Sequence, residues 1–122
     1  MTNDKGVADF ADEYMPVIEA LRGKHALELD FIDLRRISGF ADAFIIATAR
    51  SEINARALLD AVTEALDSMG LAYKTEGEES ARWKLIDAGN AIIHIFSAAG
   101  REFYKLERLW GDAPSMKFEG EE

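Results

Sequence analysis

The sequence of 122 residues contains no cysteine, which excludes disulfide bonds and thiolate metal sites. Long hydrophobic runs are also missing. The longest strongly apolar run, residues 43–49, is far shorter than the roughly 20 residues that a membrane-spanning helix needs. The N-terminal stretch, residues 1–15, is acidic and lacks the apolar segment of a signal peptide. We therefore expect a soluble, cytoplasmic protein that has no membrane partner.

Positive charge is scarce. Lysine and arginine number 14 against 23 aspartate and glutamate residues, so the formal net charge is −9. A protein that binds nucleic acid through its phosphates needs a basic face, so we expect no DNA partner. An acidic protein is instead attracted at long range to basic surfaces, including those of basic proteins. Acidity also favours solubility, so the net charge by itself does not identify a partner.

Groups that could perform nucleophilic or acid–base catalysis are few. His25 and His94 are the two histidines, and the apolar neighbours of His94 favour a structural role for it in a strand. No serine lies in a nucleophile-elbow pattern, and no glycine-rich loop precedes a helix. The sequence therefore predicts neither a catalytic residue nor a cofactor.

Two groups of acidic residues could in principle hold a metal ion. Asp30 and Asp33 are three residues apart in a predicted strand, a spacing that directs them to opposite faces. The segment 76–79 holds three glutamates, which could bind a hard cation weakly, although a solvated loop is the simpler interpretation. We predict no metal site.

The hydrophobic pattern predicts an α/β chain of α+β type, with helices packed on a mixed five-stranded sheet in a single domain. Pro16 divides the first helical region, Ser51 is placed as the N-cap of a long helix, and Gly70 ends that helix. The predicted order is a helix at 8–22, strands at 25–35 and 43–49, a helix at 51–69, a strand at 71–77, a hairpin at 82–96 and a helix at 101–110. The alternation breaks at residues 32–33, which predicts a bulge or a bend there.

The last predicted helix, residues 101–110, is amphipathic. Its apolar stripe consists of Phe103, Leu106 and Trp110. The opposite side is basic and consists of Arg101, Lys105 and Arg108. Tyr104 lies about a quarter turn from Phe103, on the polar flank. Tyrosine combines an apolar ring with a polar tip and is enriched at interfaces, so Tyr104 is either a partner contact or an ordinary surface residue.

These segments together resemble the ribosomal silencing factor family (RsfS, also called iojap-like). The resemblance runs from about Leu21 to Trp110. It places that domain at residues 1–110, with an N-terminal helical extension at about 1–22 and a flexible acidic tail at 111–122. Family-typical positions are Asp42, Glu76, Gly77, Trp83, Asp87, Gly89, His94, Phe96, Arg101, Tyr104, Leu106, Glu107, Leu109 and Trp110. Departures are Asn90, the segment 97–100 and the segment 49–54, which differ from the usual family residues.

The resemblance implies a small α/β protein with a nucleotidyltransferase-like topology but no catalytic activity. Members bind the large (50S) ribosomal subunit through its universal protein fourteen. They block joining of the small subunit and thereby repress translation when nutrients are short. The resemblance also implies that the chain can form a homodimer.

Six residues are the predicted partner contacts. Trp83 and Tyr104 are proposed as aromatic anchors, with Arg101 and Arg108 beside them, while Glu76 and Asp42 are proposed for charge pairs. For Trp83, a place in the core is the competing interpretation. Two other functions remain open: a nucleotidyltransferase-like, Mg²⁺-dependent enzyme that uses Asp30, Asp33 or the loop glutamates, and an adaptor in another complex.

Overall fold

The computed structural model describes residues 6–37, 39, 41–104, 111 and 113–118, and only the backbone of residues 103 and 104. Its elements are α1 (Val7–Asp12), α2 (Met15–Gly23), β1 (Leu27–Asp33), β2 (Ala43–Thr48), α3 (Glu52–Ser68), β3 (Lys74–Glu76), β4 (Trp83–Asp87), β5 (Ala91–Phe96), α4 (Ala98–Tyr104) and β6 (Ser115–Phe118). Four helices and six strands thus account for most of this part of the chain.

The helix boundaries follow local chemistry. Pro16 lies in the first turn of α2, where its missing N–H leaves no helical hydrogen bond unmade, and it separates α2 from α1 as predicted. The Oγ of Ser51 accepts a hydrogen bond of 3.0 Å from the backbone N–H of Asn54, which confirms the predicted N-cap of α3. Gly70 has a φ of +74° and follows the end of that helix.

The strands form one mixed sheet in the order β3-β4-β5-β2-β1-β6. β2 and β5 are parallel, and every other neighbouring pair is antiparallel. The parallel pair requires a long connection between its strands, and that connection contains α3. The predicted single domain with a mixed sheet and packed helices is therefore confirmed.

The two faces of the sheet differ in what covers them. We call the face packed against α1, α2 and α3 the inner face. It carries the larger core, which includes Leu29, Phe31, Ile45, Ile86 and Ile93 from the strands and Val17, Ile18, Leu21, Leu58, Val62 and Leu66 from the helices. We call the opposite face the outer face. Its smaller cluster consists of Ile32, Leu34, Ala41, Phe44, Ile46, Phe96 and Ala113, with Trp83 and Ile92 packed against it.

The predicted bulge in β1 lies at a different place. The register with β2 shifts between Leu27 and Asp30, where three steps on β1 oppose two on β2, and Glu28 has a φ of +44°. The register through Ile32 and Asp33 is regular. The prediction at residues 32–33 was wrong because consecutive apolar residues there reflect a strand buried on both faces, which breaks the alternation without a bulge.

The predicted number of strands is also wrong, because the sheet has six strands instead of five. The sixth, β6, comes from the segment that the sequence analysis assigned to the tail and pairs antiparallel with β1. Met116 and Phe118 pack against the inner core. Two apolar residues in a charged segment give a weak pattern, and this strand depends on the pairing offered by β1.

Within the described ranges, none of the helices is both long enough and apolar enough to span a bilayer.

Candidate functional site

The antiparallel pair β4–β5 forms the aromatic part of the outer face. Trp83 lies opposite Phe96, and Leu85 lies opposite His94. Residues that are directly opposite share a face of the sheet, and alternate residues point the other way. Lys84 is accordingly buried on the inner side of the strand. The outer face thus carries a compact group of rings on these two interior strands.

The indole of Trp83 is held by stacking and by one hydrogen bond. Its ring centroid lies 5.3 Å from that of Phe96 and 5.8 Å from that of His94, with interplanar angles of 26° and 30°. The indole Nε1–H donates a hydrogen bond of 3.0 Å to Nδ1 of His94. Trp83 is half-buried, so this arrangement orients an aromatic side chain that retains contact with solvent.

His94 is almost completely enclosed, with 3% of its surface exposed. Burial lowers its pKa from 6.5 to about 4, so the imidazole is neutral at pH 7. Nδ1 accepts the hydrogen bond from the indole N–H, so the proton of the neutral imidazole lies on Nε2. This Nε2–H has no hydrogen-bond partner among the described residues. An unpaired buried donor costs about 1–3 kcal/mol. His94 is thus a buried strand residue as predicted, but only one of its two ring nitrogens, Nδ1, has a hydrogen bond among the described residues.

Two glycines allow other backbone segments to approach the start of β4. A Cβ atom on Gly77 would lie 2.5 Å from the carbonyl oxygen of Trp83, and one on Gly100 would lie 2.4 Å from the carbonyl oxygen of Arg82. Gly77 also has a φ of +70°. The backbone N–H of Ser97 donates a hydrogen bond of 3.0 Å to the same oxygen of Arg82. Close approach on both sides therefore fixes the backbone that carries Trp83.

Arg101, in α4, is buried with 7% of its surface exposed. One guanidinium nitrogen donates to the carbonyl oxygen of Glu28 at 2.6 Å and to Oγ1 of Thr48 at 3.0 Å, and another pairs with the carboxylate of Asp30. Lys117 donates to the second oxygen of Asp30 at 3.2 Å. This group of charges joins α4 to β1, β2 and β6. Arg101 is therefore buried where it attaches α4 to the sheet, instead of lying exposed as a partner contact would.

The other predicted contacts lie at different places. Glu76 is exposed on β3 opposite Leu85, and therefore shares the outer face with Trp83. Asp42 lies just before β2, where its N–H donates to the carbonyl oxygen of Asn90 at 2.7 Å. Six residues of β2 separate it from the level of Trp83, a distance of roughly 20 Å. The structure therefore brings Trp83 and Glu76 together and leaves Asp42 apart.

Two predicted contacts cannot be placed by their side chains. The backbone of Tyr104 belongs to α4, but its side chain lies outside the description, and Arg108 lies outside the described residues altogether. The side chains of Phe103, Leu106 and Trp110, which were predicted to lie in the core, are likewise outside the part of the chain that the structure describes. Partner binding by all six residues stays a prediction.

A family model described as "Ribosomal silencing factor during starvation" matches residues 8–122. The chain belongs to the ribosomal silencing factor family. Ribosomal silencing factor RsfS of Halalkalibacterium halodurans is 36% identical over 104 residues, which cover 84% of this chain and 89% of that protein. RsfS of Bacillus subtilis is 37% identical over 92 residues, which cover 75% and 78%. The resemblance recognised in the sequence is confirmed.

Solved structures agree with this assignment to the silencing factors. A crystal structure of a Chromobacterium violaceum protein superposes with a TM-score of 0.79 at 28% identity and covers 92% of this chain and 88% of its own. A Bacillus halodurans structure gives a TM-score of 0.76, also at 28% identity, with coverage of 88% and 99%. The fold described above is therefore that of known structures over nearly its whole length.

The acidic residues of this silencing factor do not assemble a metal centre in the part of the chain that the structure describes. Asp30 is paired with Arg101 and Lys117, whereas Asp33 is paired with Arg35 at 2.7 Å. The Arg35 side chain lowers the pKa of Asp33 through hydrogen bonding. Each carboxylate thus has its own cation, which gives the Mg²⁺-dependent enzyme hypothesis no support at these positions.

A cavity of about 320 Å³ lies between the start of α3 and the loop 78–81. Lys84 reaches it with Nζ, which donates to the carbonyl oxygens of Glu78 and Ser80 at 2.7 Å each. Arg56, on the rim, pairs with Glu79 at 3.6 Å. Three glutamates and two cations line this cavity, so its formal charge is close to zero and it offers no strong charge of either sign to a ligand.

Some residues of the site were not predicted from the sequence. The partnership of Asp30 with Arg101 spans 71 positions and has no local signal beyond a lone acid in an apolar strand. Gly100, just before the predicted helix at 101–110, gives a clearer signal, because glycine near a helix start often marks close backbone approach. Phe44, which meets the His94 ring edge-on at 4.5 Å, could be found only by pairing β2 with β5.

Proposed function

We propose that this protein represses translation by binding the large ribosomal subunit through its universal protein fourteen and thereby blocking the small subunit sterically. The family assignment supports the coarser role of a ribosome-associated regulator. The mechanism needs no catalytic step and no cofactor, because overlapping occupancy alone excludes the small subunit. The protein would act in the cytoplasm, where the two subunits meet.

Charge favours a protein partner within the ribosome. The net charge of −9 attracts a basic ribosomal protein and repels the surrounding RNA phosphates. Such opposite contributions favour one docking position over nonspecific coating of the particle. The fraction of large subunits that are blocked then depends only on affinity and on the concentration of the factor.

The observation that carries the proposed docking surface is the oriented, half-buried indole of Trp83 on the outer face. Tryptophan is enriched among residues that dominate binding energy, and an indole that is already ordered loses less entropy on binding. Glu76, exposed on the same face, adds a negative charge suited to a basic partner. We therefore place the docking surface around Trp83 and Glu76.

The direct test is subunit joining with purified components. A saturating excess of the protein should prevent purified large and small subunits from assembling, as measured by sedimentation. Trp83→Ala should weaken binding to isolated universal protein fourteen by roughly 2 kcal/mol, about 30-fold in Kd, and weaken the block in parallel.

The matched control is Tyr73→Ala, which removes a half-buried aromatic residue that packs against the inner core. It should leave affinity within about twofold of the unmodified protein. Melting curves establish that both variants are folded. Normal assembly in the presence of saturating protein would disprove the steric mechanism, and unchanged affinity of a folded Trp83→Ala variant would remove Trp83 from the docking surface.

A further inference from the structure

The buried imidazole of His94 has one polar contact among the described residues, the hydrogen bond that Nδ1 accepts from Trp83. Its other neighbours are apolar: Phe44 lies edge-on at 4.5 Å, Phe96 lies parallel at 6.0 Å, and Leu85 and Ile46 lie opposite it on the adjacent strands. An apolar side chain would fill the same space without burying an unpaired Nε2–H. What histidine adds at this position is a single acceptor directed at the indole.

That acceptor selects one orientation of the indole. Stacking on Phe96 is compatible with either edge of the indole facing the sheet, since both faces of the ring are equivalent for stacking. The hydrogen bond at 3.0 Å is directional and can form only when Nε1 points toward His94. Stacking therefore sets the plane of the ring, and His94 selects which edge of the ring faces the sheet.

We propose that His94 is a positioning residue, whose imidazole acceptor holds Trp83 in the orientation that meets the ribosomal partner. The inference rests on the proposed function, because it assigns to Trp83 the role of anchor. His94 itself is buried and does not touch the partner in this arrangement. Its effect on binding passes through the indole alone.

Three substitutions test the hydrogen bond in the full-length protein. His94→Leu removes the acceptor and keeps an apolar volume, whereas His94→Asn keeps an acceptor close to the position of Nδ1. His94→Met is a second variant without a nitrogen acceptor, for use if His94→Leu does not fold. The readout is the indole N–H signal of Trp83 in ¹H–¹⁵N spectra, which is distinguished from that of Trp110 by its loss in Trp83→Phe.

The signal should report the hydrogen bond directly. We expect the Trp83 indole proton to exchange with solvent about tenfold faster or more in His94→Leu, and to return toward the original rate in His94→Asn. An unchanged exchange rate and chemical shift in a folded variant that lacks the acceptor would overturn the inference. This measurement uses no ribosomal partner, so it does not depend on the proposed function.

Binding to isolated universal protein fourteen then tests the consequence. His94→Leu should weaken affinity about five- to tenfold, because the indole must be ordered on binding, and His94→Asn should stay within about twofold. A changed indole signal with unchanged affinity in His94→Leu would overturn the positioning role by itself. Unchanged affinity in Trp83→Ala would instead overturn the anchor, and with it both the proposed docking surface and this inference.

Discussion

The inner and outer faces of the sheet are stabilised in different ways. The inner face is covered by three helices and packed with aliphatic side chains around Phe31. The outer face has a smaller apolar cluster and relies on directed contacts: the indole–imidazole hydrogen bond, the buried ion pair of Arg101, and the close backbone approach at Gly100. One face is held mainly by buried area and the other mainly by specific geometry.

This difference is the reason for proposing the docking surface on the outer face. Area burial is non-directional and tolerates repacking, so the inner face can supply stability without specifying any single orientation. Directed contacts instead hold individual side chains in defined positions, and they can do so without complete burial of the side chain. Trp83 is the example, because it is half-buried yet oriented by two rings and a hydrogen bond. The inner face therefore supplies stability, and the outer face carries the proposed docking surface.

The largest expected effect is at Arg101. Arg101→Met keeps much of the apolar volume but removes the cation that pairs with Asp30, and leaving a buried charge unpaired typically costs about 3–5 kcal/mol. We expect the free energy of unfolding to fall by about 3 kcal/mol, the lower end of this range, because Lys117 also contacts Asp30. Urea unfolding measures the change.

The control for Arg101 is the double variant Arg101→Met with Asp30→Asn, which removes both charges. It should recover part of the lost stability, since no uncompensated carboxylate remains. A single variant as stable as the unmodified protein would show that the outer face, like the inner one, is held by buried area alone.

The next effect is steric and lies beside Trp83. Gly100→Ala places a Cβ 2.4 Å from the carbonyl oxygen of Arg82, so the backbone must move. We expect the free energy of unfolding to fall by about 2–3 kcal/mol. Gly23→Ala is the matched control, because Gly23 is also helical and has nothing within 4 Å of the added Cβ. It should be neutral or slightly stabilising. Equal melting temperatures for the two variants would contradict the close approach described for the outer face.

The smallest effect is a pH dependence that arises from His94. Its pKa is about 4 in the folded state and 6.5 when exposed, so the unfolded state binds more protons between these values and stability falls as the pH is lowered. Between pH 7 and pH 5 the loss from this group should be about 2 kcal/mol.

The pH effect is isolated by comparing the unmodified protein with His94→Asn, which retains every other titrating group, including His25. From pH 7 to pH 5 the unmodified protein should lose about 2 kcal/mol more of its unfolding free energy than His94→Asn does. Parallel pH profiles would mean that the imidazole is not buried in its neutral form, and the contrast between the faces would lose one of its directed contacts.

Local patterns predicted much of the fold. The division at Pro16, the Ser51 cap and the hairpin of β4 and β5 are confirmed, because each depends on chemistry within a few residues. The position of the bulge in β1 and the existence of β6 were not predicted. Both depend on which strands lie beside β1, and the sequence of one strand contains little information about its neighbours.

The candidate site was predicted in part. Trp83 and Glu76 were identified from the family resemblance, and the structure places them on one face. Arg101 was predicted as a contact from its place on a helical wheel, yet the structure buries it against β1 and β2. A wheel shows which residues share a helix face, but it does not show which face meets the sheet.

The sequence by itself determined the acidic charge, the absence of thiol chemistry, the order of most elements and the family. These properties depend on composition, on short-range periodicity and on residues that match the family pattern. Only the tertiary structure decided that Asp30 meets Arg101, that His94 orients Trp83 and that a sixth strand completes the sheet. Each of these contacts lies between different strands or between a strand and a helix, and its geometry exists only after the strands have paired.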